Sequence, residues 1–260
     1  MLDLTIVPQH VLDRYKTELP VRLEEHFPIE PTVEFTNDYF GFYTSVSAVF
    51  SSKIEGEGIE LDSYLKHRFY KVSFTADYTR KTDDLFKAYQ FARENDLNSK
   101  NLFKAHKLLS SNLLRVNSRG KIRKNHEVII DKDGRIEYVA ADPAIVEREF
   151  NKLFHDIDIM LNNAEELDLA TKFYFASMIH LVFLKIHPFE DGNGRMSRLL
   201  EKWFLASVLG DSAWYIQSER YYHTYLADYY KNVHIGLDYE SVDYNRSLPL
   251  LLMLPASILG

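Results

Sequence analysis

The sequence of 260 residues predicts a mainly α-helical fold with one inserted β-hairpin. Apolar residues recur at helical spacing from Phe40 to Ile54. Residues 169–186 are apolar on nearly every face, which is typical of a helix buried in the middle of a bundle. Residues 125–140 hold two β-rich runs separated by a polar turn, and this pattern indicates a hairpin. The hairpin is the one clear β element in the sequence, so the fold class is mainly α.

The remaining helices follow from the same spacing and from capping residues. The hairpin turn falls on residues 131–134 (Asp-Lys-Asp-Gly), with Gly134 at the position that needs a positive φ. Residues 82–84 and 98–99 supply N-cap candidates. Pro188 ends the central helix, because proline lacks an amide proton and disfavours helix before it. Further helices are predicted over 83–95, 98–114, 143–163, 166–186, 195–209 and about 217–233.

Three parts of the chain differ in character. Prolines cluster in residues 1–35, which we expect to form an irregular or short-helical lead-in. Residues 36–235 form the main domain. Residues 236–260 are an apolar tail that we expect to pack on the domain or on a partner subunit, with a membrane contact as the lesser alternative.

Composition limits the partners and the compartment. The net charge of −7 argues against nonspecific binding to nucleic acid or to an anionic membrane. The absence of cysteine excludes disulfides and thiolate metal sites. The N-terminus lacks the features of a signal peptide, and we expect no apolar run of the roughly 18 residues that a membrane helix needs. The sequence therefore predicts a cytoplasmic protein without a membrane or nucleic-acid partner.

The stretch HPFEDGNGRMSR, residues 187–198, follows the buried helix and combines features of an anion site. A glycine-rich turn that opens a helix presents free backbone amides and the positive end of the helix dipole. Gly192 and Gly194 let a phosphate approach without interference from a Cβ. Arg195 and Arg198 lie three residues apart on the first helical turn and can bind further phosphate oxygens.

Two residues of the same stretch add chemistry. Asp191 is an acid in a cationic cradle, which makes sense beside phosphate if a cation lies between them; Mg²⁺ typically uses one or two carboxylates with phosphate oxygens. His187 is a base within reach of an incoming hydroxyl. Each feature alone fits a structural turn with a surface ion pair. Together they predict a nucleotide–Mg²⁺ site with a histidine base.

This stretch resembles the signature of Fic domains, H-x-F-x-D/E-G-N-G-R-x-x-R, with every fixed position filled. The hairpin at 125–140 resembles the flap of that family, and residues 98–114 resemble the helix before the flap. The resemblance covers about 40–235. It implies a Fic-type helical bundle that transfers AMP from ATP to a Ser, Thr or Tyr hydroxyl of a target protein.

The resemblance also implies a role for each residue of the loop. The base that deprotonates the target hydroxyl is His187, and the residue that holds Mg²⁺ is Asp191. Phe189 anchors the loop in the core. The phosphate-binding residues are Gly192, Asn193 and Gly194 for the α- and β-phosphates, Asn193 also through its side chain, Arg195 for the β-phosphate and Arg198 for the γ-phosphate. The flap holds the target by strand pairing, and we assign its edge to Val128, Ile129 and Ile130, although the sequence does not say which strand faces the target.

A second motif, SSKIEGEG at 51–58, resembles the inhibitory motif S/T-x-x-x-E-G/N of the class with an N-terminal inhibitory helix (class II). It places Ser51, Glu55 and Gly56 at the end of a helix over about 40–56. An ordinary helix end with a glycine cap is the alternative. We expect Glu55 to pair with Arg198 and keep it from the γ-phosphate, so that ATP binds in an unproductive pose. In a desolvated site, such a pair can favour the inhibited arrangement by on the order of a few kcal/mol.

Other segments are less specific. Residues 218–230 resemble an aromatic-rich helix that borders the nucleotide base in Fic domains, with core packing as the alternative. The basic stretch 119–127 is expected to be a solvated loop, with target or phosphate binding as the alternative. His180 is expected to be a hydrogen-bonded core histidine.

Rival functions remain open at this point. The same scaffold could transfer UMP, phosphate or phosphocholine, or remove AMP with Glu55 orienting a water. A non-catalytic nucleotide-sensing module is the alternative from another class. The target protein, the oligomeric state and the signal that relieves inhibition are not fixed by the sequence, and a homo-oligomer is left open.

Overall fold

The computed structural model describes residues 2–130 and 133–259. Within these ranges the chain forms twelve α-helices and one two-stranded antiparallel sheet. The helices are α1 (Leu12–Thr17), α2 (Tyr39–Ile54), α3 (Leu61–Tyr70), α4 (Ala76–Arg93), α5 (Ser99–Leu109), α6 (Pro143–Asn162), α7 (Leu169–Ile186), α8 (Asn193–Leu209), α9 (Ser218–Thr224), α10 (Leu226–Val233), α11 (Leu248–Leu251) and α12 (Met253–Ala256). The strands are β1 (Val128–Ile130) and β2 (Ile136–Val139). Short 3₁₀ turns lie at Leu23–Glu25, Ala164–Glu166, Asp211–Tyr215, Tyr244–Arg246 and Ser257–Leu259.

Helix α7 is the centre of the fold. It packs against α8, α6, α1 and the C-terminal helices, and its side chains are buried nearly throughout. Asp168 caps its first turn by accepting a hydrogen bond from the Thr171 amide. The expectation that no segment is long and apolar enough to span a membrane is wrong for α7, which passes by length and composition. However, 78% of this helix is buried inside the protein, as in the core helix of a folded domain.

Helix α2 lies against α8, α9, α4 and α3, so its C-terminal end reaches the start of α8. Asp38 caps its first turn at the Gly41 amide. Gly56 follows the helix with a φ of 84°, a conformation that suits glycine. The predicted helix over 40–54 therefore forms with almost the predicted bounds.

The predicted hairpin also forms. Val128 pairs with Val139, Ile129 with Tyr138, and Ile130 with Ile136, with an irregularity in register between the last two pairs. Gly134 has a φ of 78°, as the turn requires. Residues 131 and 132 of the predicted turn lie outside the described residues. The fold class, mainly α with one small hairpin, is thus confirmed.

Other predicted bounds were wrong for identifiable reasons. Helix α4 begins at Ala76, well before 83, because Thr82 and Asp84 are buried partners of other side chains instead of caps. Helix α5 ends at Leu109 instead of 114. The hydroxyls of Ser110 and Ser111 donate to carbonyls of its last turn, and such side-chain bonds compete with the backbone bonds of a helix.

Two further differences concern whole elements. The single helix predicted over 217–233 is two helices, α9 and α10, which break at Tyr225. Helix α3 was not predicted. The tail, described only as apolar from its sequence, contains α11 and α12, and its leucines at 248, 251 and 254 are buried in the core.

Candidate active site

His187 occupies a strained position at the end of α7. Its backbone is left-handed, with a φ of 52°, and this conformation costs a non-glycine residue roughly 1–2 kcal/mol. Nδ1 faces the Leu184 carbonyl at 3.4 Å, which leaves Nε2 as the nitrogen that can accept a proton. Burial lowers the pKa of His187 to about 4, so the ring is neutral at physiological pH.

The loop after His187 is fastened from both sides. Phe189 is completely buried and stacks on His106, with ring centroids 3.6 Å apart. The side chain of Asn193 bonds the backbone of Phe189 twice, accepting from its amide at 2.9 Å and donating to its carbonyl at 2.8 Å. Phe189 thus lies where an anchor of the loop is expected. The Asn193 side chain closes the loop here, whereas the sequence assigned it to the phosphates.

His106 supports this loop from α5. Gly120 donates its amide to Nδ1 at 2.9 Å, so Nε2 carries the proton and donates to the Asp191 carbonyl at 2.9 Å. Burial lowers the pKa of His106 to about 4, which keeps the ring neutral in this role. This residue was not predicted from the sequence.

The start of α8 is the expected cradle. Gly192 has a φ of 81°, and a Cβ there would collide with Leu109, so glycine is required at this point. The first turn of α8, like that of any helix, has backbone amides without a partner within the helix. Asp191 is exposed beside this turn, and one of its carboxylate oxygens accepts from the Gly192 amide at 2.6 Å.

A cavity of about 590 Å³ opens at the loop. One wall, which we call the phosphate wall, consists of Glu55, Gly194 and Arg198. A second part of the lining, which we call the flap wall, consists of Ile129, Ile130 and Tyr138. The remaining lining residues are His187, Leu184, Lys185, Glu137, Tyr229, Tyr230, Val233 and His234.

Arg198 is fully held in the phosphate wall. Its Nη2 donates to Glu55 Oε1 at 2.6 Å and to the Ser51 carbonyl at 3.1 Å. Its Nε donates to Ser51 Oγ at 2.9 Å, and its Nη1 to Tyr229 Oη at 3.3 Å. The ion pair expected from the sequence is therefore present, and Ser51 adds two further contacts.

Glu55 lies where an anion would lie. A Cβ on Gly194 would come within 2.3 Å of Glu55 Oε1, so the carboxylate fills the space that this glycine leaves open. Burial alone would raise the pKa of Glu55, but Arg198 and Arg195 outweigh burial and hold that pKa below its usual value. The group in the cradle is thus a carboxylate anion.

Arg195 has a different partner from Arg198. It is 4% exposed at the side chain, and its Nη2 donates to Glu57 Oε1 at 3.2 Å. The same oxygen accepts from Lys81 Nζ on α4 at 2.7 Å. Among the described residues, Arg195 Nε is buried without a hydrogen-bond partner. Glu57 and Lys81 were not predicted, although Glu57 stands within the quoted motif at 51–58.

A chain of buried polar groups backs the phosphate wall. The hydroxyl of Tyr229 lies 3.0 Å from His180 Nε2, and His180 Nδ1 lies 2.8 Å from Glu201. Tyr222 donates to the same carboxylate at 2.9 Å. The prediction that His180 is a hydrogen-bonded core histidine is confirmed. Tyr229 from the aromatic-rich segment is buried in the core, as the core-packing alternative expects, and it also lines the cavity. Contact of this segment with a nucleotide base stays a prediction.

The basic stretch 119–127 is only partly the solvated loop that was expected. Lys121 and Lys124 are exposed, but Arg123 is 1% exposed and reaches the end of α7. The prediction of a solvated loop is therefore wrong at Arg123. Arg123 is buried because its side chain bonds to buried carbonyls. A single sequence does not reveal such contacts.

The flap has one occupied and one open edge. Val139 of β2 forms a parallel bridge with Asp238, in which its amide donates to the Leu237 carbonyl at 2.9 Å. The exposed fractions of Val128 and Ile130 on β1 are 44% and 61%. The strand named from the sequence, 128–130, is thus the one that faces away from this neighbour.

The donor set fits a magnesium ion that is shared with phosphates. In the two described ranges no cluster of three or more His, Asp or Glu side chains could hold a metal alone. A single exposed carboxylate, Asp191, stands beside the cradle. This arrangement suits Mg²⁺, which takes one or two carboxylates and fills its remaining positions with water and phosphate oxygens.

Comparison with known proteins identifies the fold. Residues 96–205 match the Fic/DOC family. The fold is similar to that of a Fic family protein from Desulfovibrio desulfuricans G20, with a TM-score of 0.73 and 20% identity over 99% of this chain and 74% of that one. A Fic domain containing signaling protein from Bacteroides thetaiotaomicron VPI-5482 has a TM-score of 0.64 and 18% identity over 95% and 92% of the two chains. Fic-1 from C. elegans has a TM-score of 0.63 and 15% identity over 96% and 70%.

No curated protein sequence matches the chain. The structural similarities at these low identities show the fold. The chain therefore has the fold of these Fic proteins, and its match to the Fic/DOC family extends over residues 96–205.

Proposed function

We propose that the protein transfers AMP from ATP to a hydroxyl group of a target protein, and that Glu55 inhibits this transfer by occupying the phosphate site. The observation that carries the proposal is the contact between Glu55 and Arg198 in front of Gly194. A carboxylate held in a glycine cradle by an arginine marks the place where a phosphate group would bind.

In this proposal a nucleotide binds in the cavity in one orientation. Its phosphates would lie on the phosphate wall, where Gly194 leaves room and Arg198 supplies a planar guanidinium for the terminal phosphate. The nucleoside would then extend toward Tyr229 and Tyr230. Arg195 and the amides of the first turn of α8 would bind the β-phosphate.

His187 performs the proton transfer in this proposal. Its neutral Nε2 accepts the proton of the target hydroxyl while that oxygen attacks the α-phosphorus. The new oxygen–phosphorus bond forms as the bond from the α-phosphorus to the bridging oxygen breaks, and pyrophosphate leaves. The rate then depends chiefly on positioning and on neutralising phosphate charge. Asp191 would hold Mg²⁺, which supplies part of that neutralisation when bound.

Inhibition follows from competition for Arg198. Its three nitrogens donate to Ser51, Glu55 and Tyr229, so a γ-phosphate cannot use the guanidinium unless Glu55 moves. Glu55 itself has a partly exposed side chain, at 29%, and stands at the end of α2 next to Gly56. Movement of that helix end would release Arg198 without unfolding the core of α8.

The target is expected to bind along β1. Its edge is open, its side chains at 128 and 130 are exposed and apolar, and β2 already has a neighbour on its other side. An extended target segment could add a strand there and present its hydroxyl to His187.

Labelled ATP tests the proposal directly. Wild type, Glu55→Gly and the double variant Glu55→Gly/His187→Ala are incubated with ATP labelled on the α-phosphate, Mg²⁺ and a cell lysate, and labelled proteins are identified by mass spectrometry. We expect strong labelling with Glu55→Gly only. Equal labelling by wild type and Glu55→Gly would contradict inhibition, and no labelling by Glu55→Gly would contradict AMP transfer.

The same reaction mixture also tests the other transferable groups. Replacing ATP by labelled UTP or by CDP-choline asks whether the cavity accepts a different phosphate-containing donor. Labelling with one of these and not with ATP would assign the transferase a different group. Nucleotide binding without any labelling would favour the nucleotide-sensing alternative.

A second activity has support from Glu55 itself. Because Arg198 and Arg195 keep Glu55 ionised inside the cavity, the carboxylate can accept a hydrogen bond from a water molecule. Such a water could attack the phosphorus of an AMP group already attached to a target as the bond from that phosphorus to the target oxygen breaks. The water hydroxyl would stay on the phosphorus of the released AMP, and its proton would pass by way of Glu55 to the target oxygen. Release of AMP from a modified target by wild type, and its loss in Glu55→Gly, would establish this removal.

A further inference from the structure

Arg123 lies between α5 and the flap and is one of the largest fully buried side chains of the protein. A buried arginine normally has a carboxylate partner. The side chain of Arg123 instead donates to backbone carbonyls in two separate parts of the chain. This set of partners is unusual for a buried arginine, and it indicates a specific role for the side chain.

The first group of acceptors is at the end of α7. Arg123 Nε donates to the His187 carbonyl at 2.6 Å, and Nη2 lies 3.4 Å from the Ile186 carbonyl. The backbone amide of Arg123 also donates to the Pro188 carbonyl at 2.9 Å. These carbonyls belong to the negative end of the helix dipole, where a cation is stabilised.

The second group of acceptors is at the base of the flap. Nη1 donates to the Asn125 carbonyl at 2.6 Å, on the leg that leads into β1. Nη2 donates to the Ala141 carbonyl at 2.5 Å, on the leg that leaves β2. One guanidinium therefore joins both legs of the flap to the residue that carries the proposed base.

The geometry suits arginine and not lysine. A guanidinium presents five N–H donors in a rigid plane, so it can bond carbonyls in several directions at once. A lysine ammonium is a point charge that could not span the same acceptors. In addition, the left-handed backbone of His187 has to be held by its surroundings, because strain of this kind persists only where neighbouring contacts determine it.

We propose that Arg123 is a positioning residue that sets the flap in register with the imidazole of His187. A target strand added to β1 is then aligned with the proposed base through one side chain. The inference rests on the proposed function, since it assumes that a target binds the flap and that His187 takes its proton.

A structural role alone predicts a different result from a positioning role. Loss of packing would lower the melting temperature and the amount of folded protein. Loss of register would lower kcat in protein that is folded and still binds ATP, because Glu55, Gly194 and Arg198 do not contact Arg123. A displacement of about 1 Å in a reacting geometry can cost as much as ~10²-fold in rate.

The test uses Arg123→Lys, Arg123→Gln and Arg123→Ala in the Glu55→Gly protein. The matched control is Arg119→Lys, which changes a neighbouring arginine with one side-chain hydrogen bond, to the Leu114 carbonyl. We expect Arg123→Lys to lower kcat about tenfold or more while KM for ATP changes less than about twofold. Arg119→Lys should leave both constants unchanged. Added methylguanidinium should restore part of the rate of Arg123→Ala.

Each outcome decides between the two roles. An unchanged kcat in folded Arg123→Lys or Arg123→Gln protein would overturn the proposal. So would a rise in KM for ATP that matches the fall in kcat/KM. If every Arg123 variant loses its cooperative thermal transition, the side chain is a folding requirement and the positioning role is wrong.

A measurement without catalysis separates this inference from the proposed function. Hydrogen exchange of the amides in β1 and β2 should accelerate in Arg123→Lys and not in Arg119→Lys, whether or not any AMP is transferred. If Glu55→Gly transfers no AMP but the flap amides respond in this way, the proposed function fails while the anchoring of the flap by Arg123 stands. Unchanged exchange would show that Arg123 does not hold the flap.

Discussion

The two walls of the cavity are held in opposite ways. On the phosphate wall, Arg198 is 1% exposed and every nitrogen of its guanidinium has a partner. On the flap wall, Ile130 is 61% exposed and belongs to a strand with an open edge. The guanidinium of the first wall is fixed by its partners and paired with the Glu55 carboxylate, whereas the second wall is open to an additional strand.

This difference indicates that the two walls have separate functions, nucleotide chemistry on the first wall and target recognition on the second. Nucleotide chemistry needs fixed charges at fixed distances, and burial on α7 and α8 provides them. Recognition of a target needs backbone donors and acceptors that are free to pair, and an exposed strand provides those. Changes on the phosphate wall should therefore alter the handling of ATP, and changes on the flap wall should alter only the target.

The largest effect is expected at His187, which stands between the walls. In the Glu55→Gly protein, His187→Ala should lower transfer by about 10²–10⁴-fold, the usual contribution of a general base. Binding of ATP, measured by calorimetry, should persist because the phosphate wall is intact. His155→Ala on the exposed face of α6 is the control. Retention of full transfer by His187→Ala would remove this residue as the base.

The flap wall should show the next largest effect. Replacing both Val128 and Ile130 by Asp should raise KM for the target about tenfold, since an apolar contact worth about 1.4 kcal/mol corresponds to that factor. KM for ATP should stay the same. Leu237→Asp is the control, because Leu237 is 74% exposed and lies on the other side of β2. An equal effect of the control would show that β1 is not the docking edge.

Glu57 is a second acidic side chain near the phosphate wall. Replacing it measures how much it contributes to inhibition. Its carboxylate pairs with Arg195 and Lys81 but is 27% exposed, and partly exposed pairs contribute about 0.2–1 kcal/mol. Glu57→Gln should therefore raise AMP transfer of the otherwise wild-type protein by only about two- to fivefold. Lys66→Gln, which breaks an exposed pair with Asp62, is the control. Activation as large as that of Glu55→Gly would make Glu57 the main inhibitory residue.

The smallest effect is expected from pH. The neutral form of His187 is the active base, and burial lowers its pKa to about 4, so the base is already neutral at pH 6. For Glu55→Gly, kcat/KM for the target should change less than about twofold between pH 6 and 7. A histidine with the usual pKa of about 6.5 would lose about two thirds of its neutral form at pH 6 relative to pH 7. A threefold fall would contradict the buried neutral base.

Much of this arrangement could be predicted from the sequence, because the signals are local. Glycines 192 and 194, the arginines and Pro188 define the loop through backbone rules that hold in any context. The apolar run of α7 fixes the centre of the bundle in the same way. The end of α2 was found because Ser51, Glu55 and Gly56 belong to a pattern of six consecutive residues.

The rest depends on contacts between distant segments. Arg123 is a basic residue in a basic stretch, and only its burial against α7 and the flap distinguishes it from Lys121 and Lys124. Thr82 and Asp84 look like caps until their partners from α2 and from residue 112 are known. Glu57 belongs to the same short motif as Glu55, but its partners come from α8 and α4.

The central claim is that Glu55 and the terminal phosphate of ATP compete for Arg198. Calorimetric titration of wild type and of Glu55→Gly with ATP and with ADP, both with Mg²⁺, tests it most directly. Wild type should bind the two nucleotides with similar affinity, because Arg198 is engaged by Glu55. Glu55→Gly should bind ATP about tenfold more tightly than ADP, a difference of about 1.4 kcal/mol. The same ratio of ATP to ADP affinity in both proteins would contradict the claim.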